Sequence, residues 1–296
     1  MKTYNKAFLD YEELADRAIS RGLGVPSKDA LVNVLKHISY YRLSGYIFSF
    51  KEPNSENYLP GTTLSSVLDR YYFDDNLRKI TFNALTDVEI QLRNDILHAH
   101  TKKYGPFGYL CHMSLPNMTH SEHCCFLSSM CRNKTRSKEL FIVSYNTNYT
   151  DSNALPLWMA LETSTFGELL YFHLGLDGDV KNSIADMYFL PKQVFRSWVL
   201  SLGYIRNVCT HHCRLWDKNL SMKPCRRERR SEWIRPDLVD TSTFYALALV
   251  LLHFQQHISS IRWKEEFLDL VRTNPRIPVC ERMGFPIDWQ NLSMWR

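Results

Sequence analysis

A long helical periodicity between residues 64 and 103 constrains the fold of this chain more than any other feature. Apolar side chains recur there mostly every three or four residues, which is the spacing of one face of an α-helix. They are Leu64, Val67, Leu68, Tyr71, Tyr72, Leu77, Ile80, Leu85, Val88, Ile90, Leu92, Ile96 and Leu97. The pattern predicts one long helix, or two nearly continuous ones, ended by Gly105-Pro106. We find no strand pattern of any length in the sequence, so the predicted fold class is all-α.

Shorter helical patterns cover much of the remaining chain. We predict helices over residues 27–51, from 156 to about 173, over 179–188, from Pro191 through the 206–211 region, from a cap at Thr241 or Ser242 to about 261, and over 263–273. Residues 111–153 are polar and rich in serine and asparagine, and we interpret them as an irregular, variable insertion. The proline-rich tail from residue 274 is predicted to pack as an extended segment ending in Trp289 and Trp295.

Bulk composition is that of an ordinary soluble globular protein. The chain has 296 residues, of which 45% are hydrophobic and 23% charged, so it can form one large domain or two small ones. Its N-terminus lacks a hydrophobic signal core, and the longest apolar run, residues 244–254, is too short to cross a bilayer. Eight cysteines without an export signal favour reduced thiols. We therefore expect a cytoplasmic protein that does not bind a membrane.

A short polar motif begins at Arg206 and reads R-N-V-C-T-H-H-C-R-L-W. Its residues suit RNA cleavage without a metal. His211 can move a proton to or from a ribose hydroxyl, and Arg206 can hold the phosphate and the charge that builds on it. Asn207 can orient either partner. The alternative interpretation is a capped helix end, with Arg206 in a salt bridge and His211 packed.

The R-N-x-x-x-H hexad occurs twice in the sequence. Its first copy runs from Arg93 to His98, and Glu89, four residues before Arg93, favours an internal salt bridge there. On an ideal helix five residues advance about 500°, so Arg206 and His211 point about 140° apart, which makes a poor site. Either the helix is distorted near the motif or a second motif completes the site.

Several ordered blocks accompany the Arg206 hexad. They read Y-Y-R-L-S-G-Y at residues 40–46, V-E-I-Q-L-R at 88–93, Y-G-P-F-G-Y at 104–109, L-P-L-W at 155–158, F-G-E-L at 166–169 and M-G-F-P at 283–286. In this order they resemble blocks of bacterial Abi proteins of the AbiF/AbiD type. The hexad itself is similar to the signature of the HEPN superfamily, whose members are largely helical and often ribonucleases.

The resemblance implies a HEPN-like helical bundle over residues 61–296, preceded by an N-terminal helical region over residues 1–60. It implies a metal-independent endoribonuclease toxin of an abortive-infection or toxin–antitoxin system for phage defence, with Arg206, Asn207 and His211 as catalytic residues and no cofactor. The target would be cellular or phage RNA, and a structured non-coding RNA would restrain the protein. A homodimer would bring two hexads together. The alternative is a non-catalytic HEPN protein that acts by sequestering RNA or a protein.

Basic side chains crowd the segment after the motif, on a chain of net charge +5, and suit phosphate binding. The predicted RNA-binding residues are His212, Arg214, Lys223, Arg226, Arg227, Arg229 and Arg230, together with Tyr41 and Arg42. A solvated loop is the alternative for the basic segment, and core packing is the alternative for Tyr41 and Arg42. Histidines and cysteines between residues 112 and 131 lack paired CxxC elements, so we predict no metal site.

Overall fold

A computed structural model describes residues 7–149, 154–227, 230–234 and 239–296. Its helices are α1 Tyr11–Ser20, α2 Lys28–His37, α3 Tyr40–Ile47, α4 Leu64–Tyr104, α5 His120–Arg136, α6 Leu140–Asn148, α7 Leu157–Glu162, α8 Phe166–Gly175, α9 Gly178–Met187, α10 Lys192–Thr210, α11 Ser231–Ile234, α12 Phe244–His257, α13 Trp263–Thr273 and α14 Val279–Met283. Within these residues there is no β-strand, only two isolated bridges, so the all-α class is confirmed. No helix in the described ranges is long and apolar enough to cross a membrane.

Helix α4 is the axis of the molecule. It runs unbroken for 41 residues, which confirms the first of the two predicted possibilities. Thr63 caps its start in a reciprocal pair with Ser66, and Gly105 ends it with a φ of 75°. That dihedral lies where glycine carries little steric cost. Helices α3, α7, α8, α9, α10 and α13 all pack against α4, so residues from distant parts of the chain meet along it.

The C-terminal helices form an aromatic half of the core. In α12 the residues 244–252 are all buried, as expected for the longest apolar run. Helix α13 has the predicted bounds, and Phe267 on it contacts Phe285, Trp289 and Trp295 from the tail. The tail contains the short helix α14, so the prediction of a wholly extended segment was wrong. Its two tryptophans are 3% exposed and anchor it.

Two predicted helices are interrupted by hydroxyl caps. The segment 27–51 divides into α2 and α3 because the hydroxyl of Ser39 accepts a hydrogen bond from Arg42 N and starts a new helix. The segment 156–173 divides into α7 and α8, where Thr165 caps α8 in a reciprocal pair with Glu168. The side chains of serine and threonine can accept hydrogen bonds from backbone N–H groups and so start a new helix. Hydrophobic periodicity alone does not reveal where such a cap forms.

The prediction of an irregular excursion over residues 111–153 was also wrong, because it contains α5 and α6. Thr119 and Glu122 form a capping box that starts α5. One face of α5 is buried through His123, Phe126 and Met130, so the polar composition conceals an amphipathic helix.

The predicted cap of α12 also differs. Thr243 occupies the N-cap position, but its side chain does not cap the helix. The hydroxyl groups of Thr243 and Ser242 both donate to Asp240 instead.

Candidate functional site

Helix α10 ends inside the Arg206 hexad. Pro191 precedes its first residue as predicted, and its last residue is Thr210, so His211 is the C-cap rather than a helical residue. Cys213 N donates to Val208 O at 2.9 Å and His212 N donates to Cys209 O at 3.1 Å. These two bonds form a Schellman motif around His212, whose φ is 53°. The chain therefore reverses sharply just after His211.

Arg206 is half-buried and lies against a carboxylate of α4. Its Nε is 3.6 Å from Oε2 of Glu89, while Oε1 of Glu89 accepts a hydrogen bond from Arg93 Nη2 at 3.0 Å. The 3.6 Å contact is an ion pair and not a hydrogen bond, and Arg206 Nε has no hydrogen-bond partner among the described residues. Glu89 thus positions the guanidinium, whose Nε is buried, and no described residue accepts a hydrogen bond from the Arg206 side chain.

The remaining polar residues of the motif face solvent. Asn207, His211 and His212 are exposed, and their side chains make no hydrogen bond to any described residue. The interpretation of a capped helix end with a salt-bridged arginine therefore fits Arg206, but His211 is not packed. Cys209 between them is buried, and this burial raises the pKa of its thiol to about 12. A thiol so protonated is a poor nucleophile.

A buried aspartate holds the chain that follows the motif. Oδ1 of Asp74 accepts hydrogen bonds from Leu215 N at 3.0 Å and Trp216 N at 2.6 Å. Its Oδ2 accepts from the Tyr46 hydroxyl and from Arg78. The L-W end of the motif, α4 and the Y-Y-R-L-S-G-Y block are thereby joined through one carboxylate. Sequence reasoning missed this role, and only the four-residue spacing of Asp74 and Arg78 hinted at an ion pair.

Two predicted RNA-binding arginines reinforce the same junction. Arg42 Nη1 donates to His212 O at 2.8 Å, and Arg214 Nη1 donates to Gly45 O at 2.7 Å. Each guanidinium uses one donor to fix backbone around the helix end. Tyr41, by contrast, is 89% exposed and is open to a partner. The structure therefore gives Arg42 and Arg214 a structural role, and Tyr41 none within the described residues.

Comparison with known protein families gives a match over the part of the chain that contains this motif. The sequence model of the family described as Abi-like protein matches residues 33–217. The chain belongs to the Abi-like protein family. The matched region contains Glu89, Asp74 and the whole motif from Arg206 to Trp216. Membership indicates an abortive-infection, phage-defence protein. No curated protein and no solved structure matches the chain.

Beyond the matched region, the basic segment of this Abi-like protein is partly used internally. Lys223 and Arg230 are exposed. Arg226 Nε donates to Val239 O at 2.7 Å, and Arg227 Nη2 donates to Phe189 O at 2.7 Å. Arg229, and also Arg235 further along, lie outside the described residues. The segment is therefore divided between arginines that hold backbone and cations that face solvent.

The first hexad has its own partners. Arg93 Nη2 donates to Glu89 at 3.0 Å, as its spacing predicts, and also to Ser164 O at 3.1 Å. His98 is exposed. The two hexads of the Abi-like chain thus share Glu89 through their arginines.

The histidines between residues 112 and 131 do not form a metal-binding cluster in the described residues. No group of three or more histidine, cysteine or acidic side chains with suitable geometry occurs there or elsewhere in the described ranges. The rings of His112 and His120 stack at 4.0 Å instead. All eight cysteines are free.

Proposed function

We propose that this Abi-like protein is a metal-independent endoribonuclease toxin that cleaves cellular or phage RNA. The observation that carries the proposal is the end of α10, where His211 and Asn207 are exposed in the same hexad as a guanidinium held by Glu89. An imidazole can exchange a proton near neutral pH, and an adjacent fixed cation can bind a phosphodiester.

In the proposed reaction the ribose 2′-oxygen attacks the adjacent phosphorus. His211 accepts the hydroxyl proton, and Arg206 stabilises the negative charge on the phosphorane oxygens. Asn207 positions the phosphate. The bond to the 5′-oxygen then breaks, and that oxygen takes a proton from a second acid. The products carry a 2′,3′-cyclic phosphate and a 5′-hydroxyl.

A homodimer would supply the second acid. Arg206 and the C-cap His211 are separated by about 140° on helical geometry, so one copy presents its cation and its imidazole in different directions. A twofold axis beside α10 would bring two copies of the motif around one phosphate, with one His211 as base and the other as acid. Activity should therefore fall when the protein is diluted below its dimer dissociation constant. A fully active monomer in light scattering would contradict the dimeric arrangement.

A structured non-coding RNA is the proposed restraint on the toxin. Tyr41, Lys223 and Arg230 are exposed and chemically suited to bases and phosphates. His212, at the turn, is suited to a further contact. Bound RNA should dissociate steeply as salt increases, because each neutralised phosphate releases counterions. Co-purification from the native genetic context at low salt tests this restraint, and protein free of nucleic acid would oppose it.

Cleavage of total RNA by purified protein in EDTA tests catalysis. We expect wild type and His37→Ala to cleave and His211→Ala to be slower by about 10²- to 10⁴-fold, the usual contribution of a general base. His37 is the matched control because it is also an exposed histidine at the end of a helix. Mass spectrometry of the 3′ ends should find cyclic phosphate. If His211→Ala cleaves at the wild-type rate, the catalytic proposal fails and non-catalytic RNA binding becomes the better account.

A further inference from the structure

A cavity of about 390 Å³ lies away from the Arg206 motif, between the start of α10, α12 and the C-terminal tail. Its floor includes Trp198 and Trp233, whose rings stack with centroids 5.5 Å apart and 27° between their planes. Both tryptophans are 1% exposed, and Trp198 Nε1 donates to Cys225 O at 2.8 Å. The floor is therefore apolar and rigid.

The rim of the cavity is cationic. Arg227 Nη2 donates to Phe189 O and its Nη1 donates to Nδ1 of His253 at 3.4 Å, while His253 Nε2 donates to Tyr188 O at 2.9 Å. With both ring nitrogens so occupied, His253 is neutral, consistent with burial lowering its pKa to about 4. Arg230, also on the rim, is exposed, and no described residue accepts a hydrogen bond from its guanidinium. Two positive charges thus border the cavity, and no described residue of its lining carries a carboxylate.

An exposed aromatic ring stands at the mouth. Phe189 is 72% exposed, and its ring centroid is 5.7 Å from that of His257. Its φ is 51°, a conformation that a bulky side chain rarely adopts. The bond from Arg227 to Phe189 O helps to hold this strained residue in place. Strain of this kind persists where surrounding contacts impose it and often accompanies ligand binding.

We propose that this cavity binds a nucleotide, with its base against Phe189 and His257 and its phosphate on Arg230. A planar aromatic group suits the ring pair, and a phosphate suits planar guanidinium donors. The volume lies within the ordinary range of small-ligand sites. The ligand has two possible sources, a free nucleotide or one nucleotide of a bound RNA strand.

Titration of the full-length protein with adenosine 5′-monophosphate tests the site. We expect saturable binding by calorimetry that weakens about tenfold or more in Arg230→Ala, which loses a charge-assisted contact. Arg276→Ala is the matched control because Arg276 is also exposed and does not line the cavity. Phe189→Ala should weaken the binding of the nucleotide but not the binding of inorganic phosphate. Absence of saturable binding, equal loss in Arg276→Ala, or equal affinity for phosphate and nucleotide would overturn the proposal.

The source of the nucleotide is distinguished by crosslinking. A photoreactive adenosine monophosphate and an RNA carrying the same photoreactive adenine are each irradiated with the protein, and the labelled peptides are mapped. Labelling near Phe189 or His257 that unlabelled adenosine monophosphate competes away supports the site for whichever probe gives it. Labelling by neither probe at these residues would overturn the site. His211→Ala provides the independent control, because it should abolish cleavage and leave this labelling unchanged.

Discussion

The two R-N-x-x-x-H hexads share a sequence pattern but differ in how many hydrogen bonds their arginines already donate. Arg93 lies within α4, is 15% exposed, and donates to both Glu89 and Ser164 O. Arg206 lies in the last turns of α10, is 31% exposed, and contacts the same Glu89 only at 3.6 Å. The comparison teaches that the hexad becomes a candidate site where the helix ends and the guanidinium keeps free donors.

The largest difference between the two hexads is expected when the histidine of each one is replaced by alanine. The His211→Ala variant should not be toxic when it is expressed in the host, because loss of the imidazole slows cleavage by about 10²- to 10⁴-fold. His98→Ala should remain as toxic as wild type, since Arg93 is already engaged. Survival of induced cells at matched expression measures both. A harmless His98→Ala variant would make the first hexad part of the site.

The pH dependence of the unfolding free energy tests a second contrast, between an exposed and a buried histidine. His211 is exposed, whereas His173 is buried beneath α10 against Phe195. Burial, with Lys181 and Arg196 nearby, lowers the pKa of His173 to about 4 from an ordinary value near 6.5. The unfolded chain binds this proton first, so stability falls as pH drops from about 6.5 towards 4, by up to about 3 kcal/mol from this residue. In His173→Leu, urea unfolding should lose less stability over that range. An identical pH dependence in both proteins would contradict the assignment.

Glu89→Gln tests the carboxylate that the two hexads share. The amide keeps the shape but leaves two half-buried guanidinium groups without their anion, so we expect a loss of about 1 to 2 kcal/mol in unfolding free energy. Cleavage should slow about tenfold, because Arg206 is no longer held. Glu281→Gln, at an exposed position, is the control for loss of one negative charge. Unchanged stability and activity would show that Glu89 holds neither arginine.

The smallest effect concerns the turn that distinguishes the second hexad. His212 has a φ of 53°, where glycine is favoured, so His212→Gly should stabilise the fold by about 1 kcal/mol. Thermal unfolding measures that gain. RNA binding by the same variant shows whether the imidazole itself is needed, since the backbone is retained. A destabilised glycine variant would mean that the His212 side chain makes a contact that outweighs the strain.

Local patterns predicted what local interactions determine. The length of α4 and the bounds of α13 followed from apolar spacing, and the Glu89–Arg93 pair followed from a four-residue interval. The breaks before α3 and α8 did not, because single hydroxyl caps decide them. The contact from Glu89 to Arg206 and the bonds from Asp74 to the motif join distant segments, and no periodicity in one chain records such pairing. The sequence therefore names candidate residues, whereas it does not reveal the distant residues that contact them.

The bonds of Asp74 also determine when, during synthesis of the chain, the segment after the motif becomes anchored. Its bonds to Leu215 N and Trp216 N span 141 and 142 residues of sequence. Contacts of such long range form late, because a long loop must close before they contribute. During synthesis, α4 emerges from the ribosome well before the motif, and the turn after His211 gains its anchor only when residue 216 is free to dock. A ribosome making this chain would therefore meet the anchored form of this turn only after residue 216 has emerged.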